Sequence, residues 1–108
     1  MKQFSAHFKK YESERIQSVS IEGSMTAMSA INFKQDLISR IEESNEDFHI
    51  DISQLRAMDV AGVNALAMAH KKINNLGRKL ILISDASNPA HEFLHLTKFM
   101  DYFEFRRA

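Results

Sequence analysis

The stretch Met58-Asp59-Val60-Ala61-Gly62-Val63-Asn64-Ala65-Leu66 decides how this chain folds. Before it, "DFHIDISQL" alternates Phe48, Ile50 and Ile52 with polar residues, the period-two sign of a half-buried strand. After it, Val63, Leu66, Ile73 and Leu76 recur at helical spacing, and Gly77 supplies a stop. Asp59 stands where a helix needs an N-cap acceptor, so the nine residues predict a strand-to-helix junction with a helix from Val60 to about Leu76. Open α/β sheets place their sites at such junctions, yet neither Val60 nor Ala61 offers a nucleophile.

Outward from this junction the same two periods repeat. "KQFSAHFKK" alternates Phe4, Ala6 and Phe8, "YESER" turns the chain, and "IQSVSIEG" returns as a hairpin partner ending near Gly23. Ala30, Phe33, Leu37, Ile38 and Ile41 mark an amphipathic helix with Lys34, Arg40 and Glu43 on its wet side. "RKLILISDA" is a short continuous apolar run, as expected of a strand covered on both faces. Asn88 and Pro89 open a third helix, and "YFEFRR" closes as a strand. The order β-β-α-β-α-β-α-β predicts an α/β fold: one domain over residues 1–108 with a mixed, mostly parallel sheet of about five strands and three helices.

Composition narrows the function classes. The chain has 108 residues, enough for one modest core, and its formal net charge is zero, so no basic excess draws it to nucleic acid or anionic lipid. With no cysteine, thiolate chemistry, disulfides and cysteine metal sites are excluded together. No apolar run reaches the roughly 18 residues of a membrane span, and the N-terminus lacks a signal-peptide core. The expectation is a soluble, cytoplasmic protein with no membrane insertion. Gly23, Gly62 and Gly77 form no phosphate-cradling pattern, so no nucleotide cofactor is expected.

"HEFLH", His91 to His95, matches the H-E-x-x-H signature in which two histidines bind zinc and the glutamate, Glu92, activates water. Helical spacing clusters Phe93, Leu94, Leu96 and Met100 on one side and turns His91 and His95 toward solvent. Asp101 offers a third ligand, but Lys98 stands where a glycine would let the chain turn back, and little chain remains to wall in a peptide. The reading is a solvent-facing histidine pair, with a zinc hydrolase as the alternative from another class. Asp51, Asp59 and Asp85 near strand ends raise the option of a magnesium cluster, but Asp59 and Asp85 are read as turn or helix caps. Met68 and Met100 are read as core residues.

From His49 to Phe105 the chain presents "IDISQLRAMDVAGVNAL", then Gly77, then "LTKF" at Leu96 to Phe99, then Phe103 and Glu104. In this order and spacing it resembles the bacterial STAS domain family of anti-sigma factor antagonists. That family's pattern is an aliphatic strand, Asp-Ser-Ser-Gly-Leu opening a helix, a later glycine, then Leu-Thr-Gly-Leu and Phe-Glu. The resemblance implies a non-enzymatic module of transcriptional regulation that grips a protein partner, commonly an anti-sigma factor or serine kinase-like regulator. It also implies that phosphorylation of the first serine after the aspartate releases that grip, because phosphate adds roughly −1.5 to −2 charge at the interface. Here Asp59 and Gly62 match, but the phosphoacceptor position is Val60 and the next serine is Ala61. Phosphate cannot be placed there, which leaves Ser24, Thr26 and Ser87 as other acceptors to consider.

The partner-binding surface implied is Val60, Ala61 and Asn64 with the Met25 to Met28 loop, including Thr26, framed by Asp59 and Gly62. An alternative within the same resemblance is the regulatory subunit of a lipid-transport ABC complex, in which the module binds an ATPase subunit. Sequence alone leaves the oligomeric state open between monomer and weak homodimer.

Overall fold

The computed structural model describes residues 3–11 and 15–107. Its strands are β1 (Ser5–Tyr11), β2 (Ile16–Met25), β3 (Asp47–Met58), β4 (Leu80–Ser84) and β5 (Glu104–Arg107). The helices are α1 (Ala27–Glu42), α2 (Val60–Asn75) and α3 (Pro89–Leu96). The middle of the expected "YESER" turn lies outside the described residues.

One five-stranded sheet runs in the order β1-β2-β3-β4-β5. β1 and β2 form the antiparallel hairpin, and every later neighbour pairs in parallel. The expected α/β order is therefore met element for element. Parallel neighbours need crossovers, and α1, α2 and α3 supply them.

The alternation seen in the sequence sorts the faces of β3. Phe48, Ile50 and Ile52 are buried, while Asp47, His49 and Asp51 are half-buried. The apolar face meets Ala30, Phe33, Leu37 and Ile41 of α1 and Val63, Leu66, Ala69 and Ile73 of α2 in one core. On the other face, the register brings Lys9, Ser18 and His49 into one polar row. Burying this core supplies on the order of 25 cal/mol per Å² of apolar surface removed from water.

Chain ends of the elements are closed by local chemistry. Gly77 adopts φ +76° and lets Arg78 N–H reach the Ile73 carbonyl, completing a Schellman turn after α2. Arg78 then donates to the carbonyls of Ile41 and Glu46 at 2.8 and 2.7 Å, tying the end of α1 to the start of β4. After α3 the same turn recurs, with Phe99 N–H bonded to the Leu94 carbonyl, but Lys98 holds the left-handed position at φ +66°.

Three sequence expectations are corrected here. Met68 is 43% exposed rather than core, and Leu76 lies on the surface. α3 buries Ala90 and Leu94, so Leu96 is 69% exposed and His91 is half-buried. The large residues Phe93 and Leu96 suggested an inward face, but the small Ala90 allows closer packing. That rotates the helix by less than one residue's turn of roughly 100°.

His70 of α2 packs its ring against Tyr102 and Phe103, 4.9 and 5.4 Å between centroids. Burial lowers its pKa, with Glu104 opposing. The unfolded chain therefore binds that proton more readily, and stability falls as pH drops through the ordinary imidazole range near about 6.5. Thermal melts should show a smaller loss between pH 7.5 and 5.5 in His70→Gln than in the parent; an identical loss contradicts the assignment. Lys98→Gly removes a left-handed strain of roughly 1 kcal/mol and should raise the urea midpoint.

Candidate functional site

The register of the two central strands builds the site. Ser24 pairs with Ala57 and Met25 with Met58, so β2 and β3 end side by side and two strand-to-helix turns lie next to each other. Thr26 is the N-cap of α1 and Asp59 that of α2. Both helices thus start from one corner of the sheet.

Asp59 joins them. One carboxylate oxygen accepts from Gly62 N–H at 3.1 Å, the ordinary cap of α2, and the other accepts from Ala27 N–H at 3.1 Å, in the first turn of α1. Ala27 takes φ +46°, an uncommon conformation for a residue with a Cβ, and this aims its N–H at the carboxylate. The turn before it is fixed by Ser29, whose hydroxyl accepts from Thr26 N–H at 3.0 Å and lies 3.0 Å from the Ser24 carbonyl. The partial positive charge of two helix N-termini meets one carboxylate.

Gly62 is required by space. A Cβ there would stand 2.5 Å from Met58 Cγ and 2.6 Å from the Met25 carbonyl oxygen. The glycine lets α2 lie against the end of β2, so Gly62, expected from the sequence in the partner-binding surface, is buried and packs the corner. Met25 is corrected likewise: it is fully buried and supports the corner from beneath. The sequence placed Met25 in a surface loop, but β2 continues through it, and the parallel register turns its side chain into the core.

What faces outward is apolar. Val60 is 74% exposed and Met28 62%, each directly following a partner of the Asp59 to Ala27 bond. Ala61 is half-buried and Asn64 exposed, with the Asn64 amide oxygen 3.4 Å from Lys34 Nζ. Ile31, 37% exposed, joins Met28 on the outer side of α1. Sequence reasoning missed Ile31 and Lys34 as part of this surface; the signal was the three-residue step from Met28 to Ile31 to Lys34, off the stripe of Ala30, Phe33 and Leu37. No hydroxyl stands at residues 60 or 61, so α2 opens without an acceptor at those two positions. Thr26 and Ser24 are half-buried, and Ser87 lies elsewhere, donating its hydroxyl to Asp85 at 2.6 Å.

The histidine signature takes a different form from the one expected. His91 is only half-exposed: its Nδ1 lies 2.8 Å from Ser84 Oγ and its ring sits edge-on to Phe105 at 5.4 Å. His95 is exposed. Asp51 accepts from Ser53 N–H and Asp85 from Ser87 N–H, each closing its own turn. The Ser87 hydroxyl beside Asp85 holds that carboxyl below the usual carboxylate range. Among the described residues, no group of three His, Asp or Glu side chains converges as a metal would require.

The STAS domain model matches residues 7–108. The chain belongs to the STAS domain family. Solved structures agree on the fold. An anti-sigma factor antagonist from Mycobacterium paratuberculosis superposes with a TM-score of 0.82 at 16% identity, over 95% of this chain and 85% of that one. A putative anti-sigma factor antagonist from Thermotoga maritima gives 0.81 at 14% identity, over 94% and 85%. The phosphorylated form of the Bacillus cell fate determinant SpoIIAA gives 0.72 at 9%, over 96% and 91%. No curated protein sequence matches this STAS domain at a significant level.

Asp59→Asn leaves one acceptor for two backbone N–H groups and should cost about 1 kcal/mol, whereas Asp59→Ala removes both bonds and should cost more. Gly62→Ala forces backbone apart and should cost roughly 1–3 kcal/mol. Urea unfolding of the three variants checks the order; an Asp59→Ala midpoint equal to the parent's shows that the carboxylate does not join the helices.

Proposed function

We propose that this STAS domain is a non-catalytic docking module that binds an anti-sigma factor or serine kinase-like regulator through Val60, Met28 and Ile31, and that the contact is not switched by phosphate at residue 60. The observation that carries this reading is Val60: a valine in the first turn of α2, 74% exposed, at the family's acceptor position. An isolated exposed valine is ordinary, but here it adjoins Met28, the next most exposed apolar side chain of the same corner. Methionine is unbranched and polarizable, suited to an adaptable contact.

Chemistry favours a protein over a small anion. Helix N-termini attract anions, but Asp59 already takes one backbone donor of each helix and brings its own negative charge to the corner. Val60 and Ala61 supply no side-chain donor to hold a ligand. An apolar surface framed by Asn64 and Lys34 suits the core and rim of a protein interface. In relatives that keep the hydroxyl, phosphate would add charge at this point and expel the partner. With valine there, release depends on the partner or on its concentration.

Titration calorimetry with purified anti-sigma-type serine kinases of the source organism tests the reading. Val60→Glu should weaken binding at least tenfold while leaving the melting temperature unchanged, because glutamate in the first turn of a helix suits its dipole. Wild-type affinity in Val60→Glu removes this corner as the interface. With kinase and ATP, phosphopeptide mapping should find residue 60 unlabelled in the parent and labelled in Val60→Ser.

A further inference from the structure

The two helices that start at Asp59 stay together along their length. Three side-chain links join them in rising order: Ala27 to Asp59, Lys34 to Asn64, and Glu42 to Lys72, whose ammonium lies 3.0 Å from the carboxylate. α1 and α2 therefore run parallel and in register, with a furrow between them. On α2 its wall is the stripe Val60, Asn64, Met68 and Lys71, at steps of four, four and three residues. On α1 it is Met28, Ile31, Lys34 and Ile38.

This furrow has two apolar ends and a polar waist. Val60, Met28 and Ile31 form the near end; Ile38 and Met68 line the far end, a hollow of about 200 Å³ shared with Lys71, Lys72 and Asn75. Lys34 and Asn64 form the waist. Val60 and Met68 are eight residues apart, about 12 Å along the axis at 1.5 Å per residue. Two turns of a partner helix span the same length, so apolar residues at i, i+3 or i+4, and i+7 reach both ends.

Charge selects the partner. Of the carboxylates that link the two helices, Asp59 is spent on backbone N–H groups and Glu42 on Lys72. Lys34 is hydrogen-bonded to a neutral amide, and Lys71 is exposed with no ion pair to any described residue. Two cations are thus left without a counter-charge. We infer that the α1–α2 furrow receives an amphipathic helix of the protein partner, its apolar stripe seated at Val60 and Met68 and acidic residues opposite Lys34 and Lys71. The inference rests on the docking reading above and extends it from one corner to the whole length of the helix pair.

The test uses the same calorimetry with the same kinases and compares the far end with the near end. Met68→Glu and Lys71→Glu should each raise the dissociation constant at least fivefold, and affinity should fall as salt rises from 50 to 300 mM, as it does for steering by opposite charges. Melting temperatures of both variants should match the parent; if Met68→Glu melts early, Lys71→Glu, on an exposed side chain, gives the answer by itself. Binding lost in Val60→Glu but unchanged in Lys71→Glu overturns the furrow and leaves the docking corner standing. Binding unchanged in Val60→Glu overturns the corner and, with it, the furrow seated at Val60. If no kinase binds, the docking reading and the furrow fall together.

Discussion

The carboxylate of Asp59 is the constraint on which this structure turns. It is shared between two helix starts 32 residues apart in sequence, with one oxygen for each. Most N-cap residues satisfy a single helix. Here the parallel register of Met25 with Met58 brings a second N-terminus within reach, so one side chain closes both. Everything presented outward at the corner follows, because Met28 and Val60 take their places from the residues that this bond fixes. Gly62 acts beneath the same bond: without a Cβ it lets α2 approach the Met25 carbonyl, and the two helix starts become neighbours rather than separate ends.

The shared cap also explains how the corner keeps an apolar surface. Two helix N-termini side by side leave several backbone donors facing out. An unneutralised pair would draw anions or water; with Asp59 in place, the protein contributes the negative charge itself. The remaining surface is aliphatic, and its character is set by Val60, where many family members carry a hydroxyl. Replacing oxygen by methyl groups therefore changes the chemistry of this position without changing the frame around it.

Much of this fold was legible in the residues. Alternation in "DFHIDISQL", helical spacing after Asp59, and the pairing of Asn88 with Pro89 located β3, α2 and α3 closely, because each depends on local periodicity or capping. The order of strands followed from short crossovers. Less legible was anything set by register between distant segments. Met25 reads as a loop residue until its pairing with Met58 shows β2 continuing through it, and the second bond of Asp59 joins segments that no local pattern relates. The rotation of α3 was hidden because burial there is set by Ala90, a residue of low hydrophobic weight whose small size permits close packing. Lys98 shows the reverse: a glycine position of the family pattern is kept as a turn even after the glycine is gone.

β3 is longer than its neighbour on one side. It runs for 12 residues, yet β4 pairs with it only from Phe48 to Asp51. Beyond that point Asn88, almost fully buried, donates its amide to the carbonyls of Ser53 at 2.7 Å and Leu55 at 3.2 Å. These two carbonyls, two residues apart, point to the same edge of the strand. A single side chain thus stands in for the missing strand while its own oxygen caps α3 through His91 N–H. An open strand edge is a template for pairing with foreign chains. By closing this edge with an amide, the molecule gains a strand long enough to reach the corner where both helices start without leaving that length exposed to aggregation.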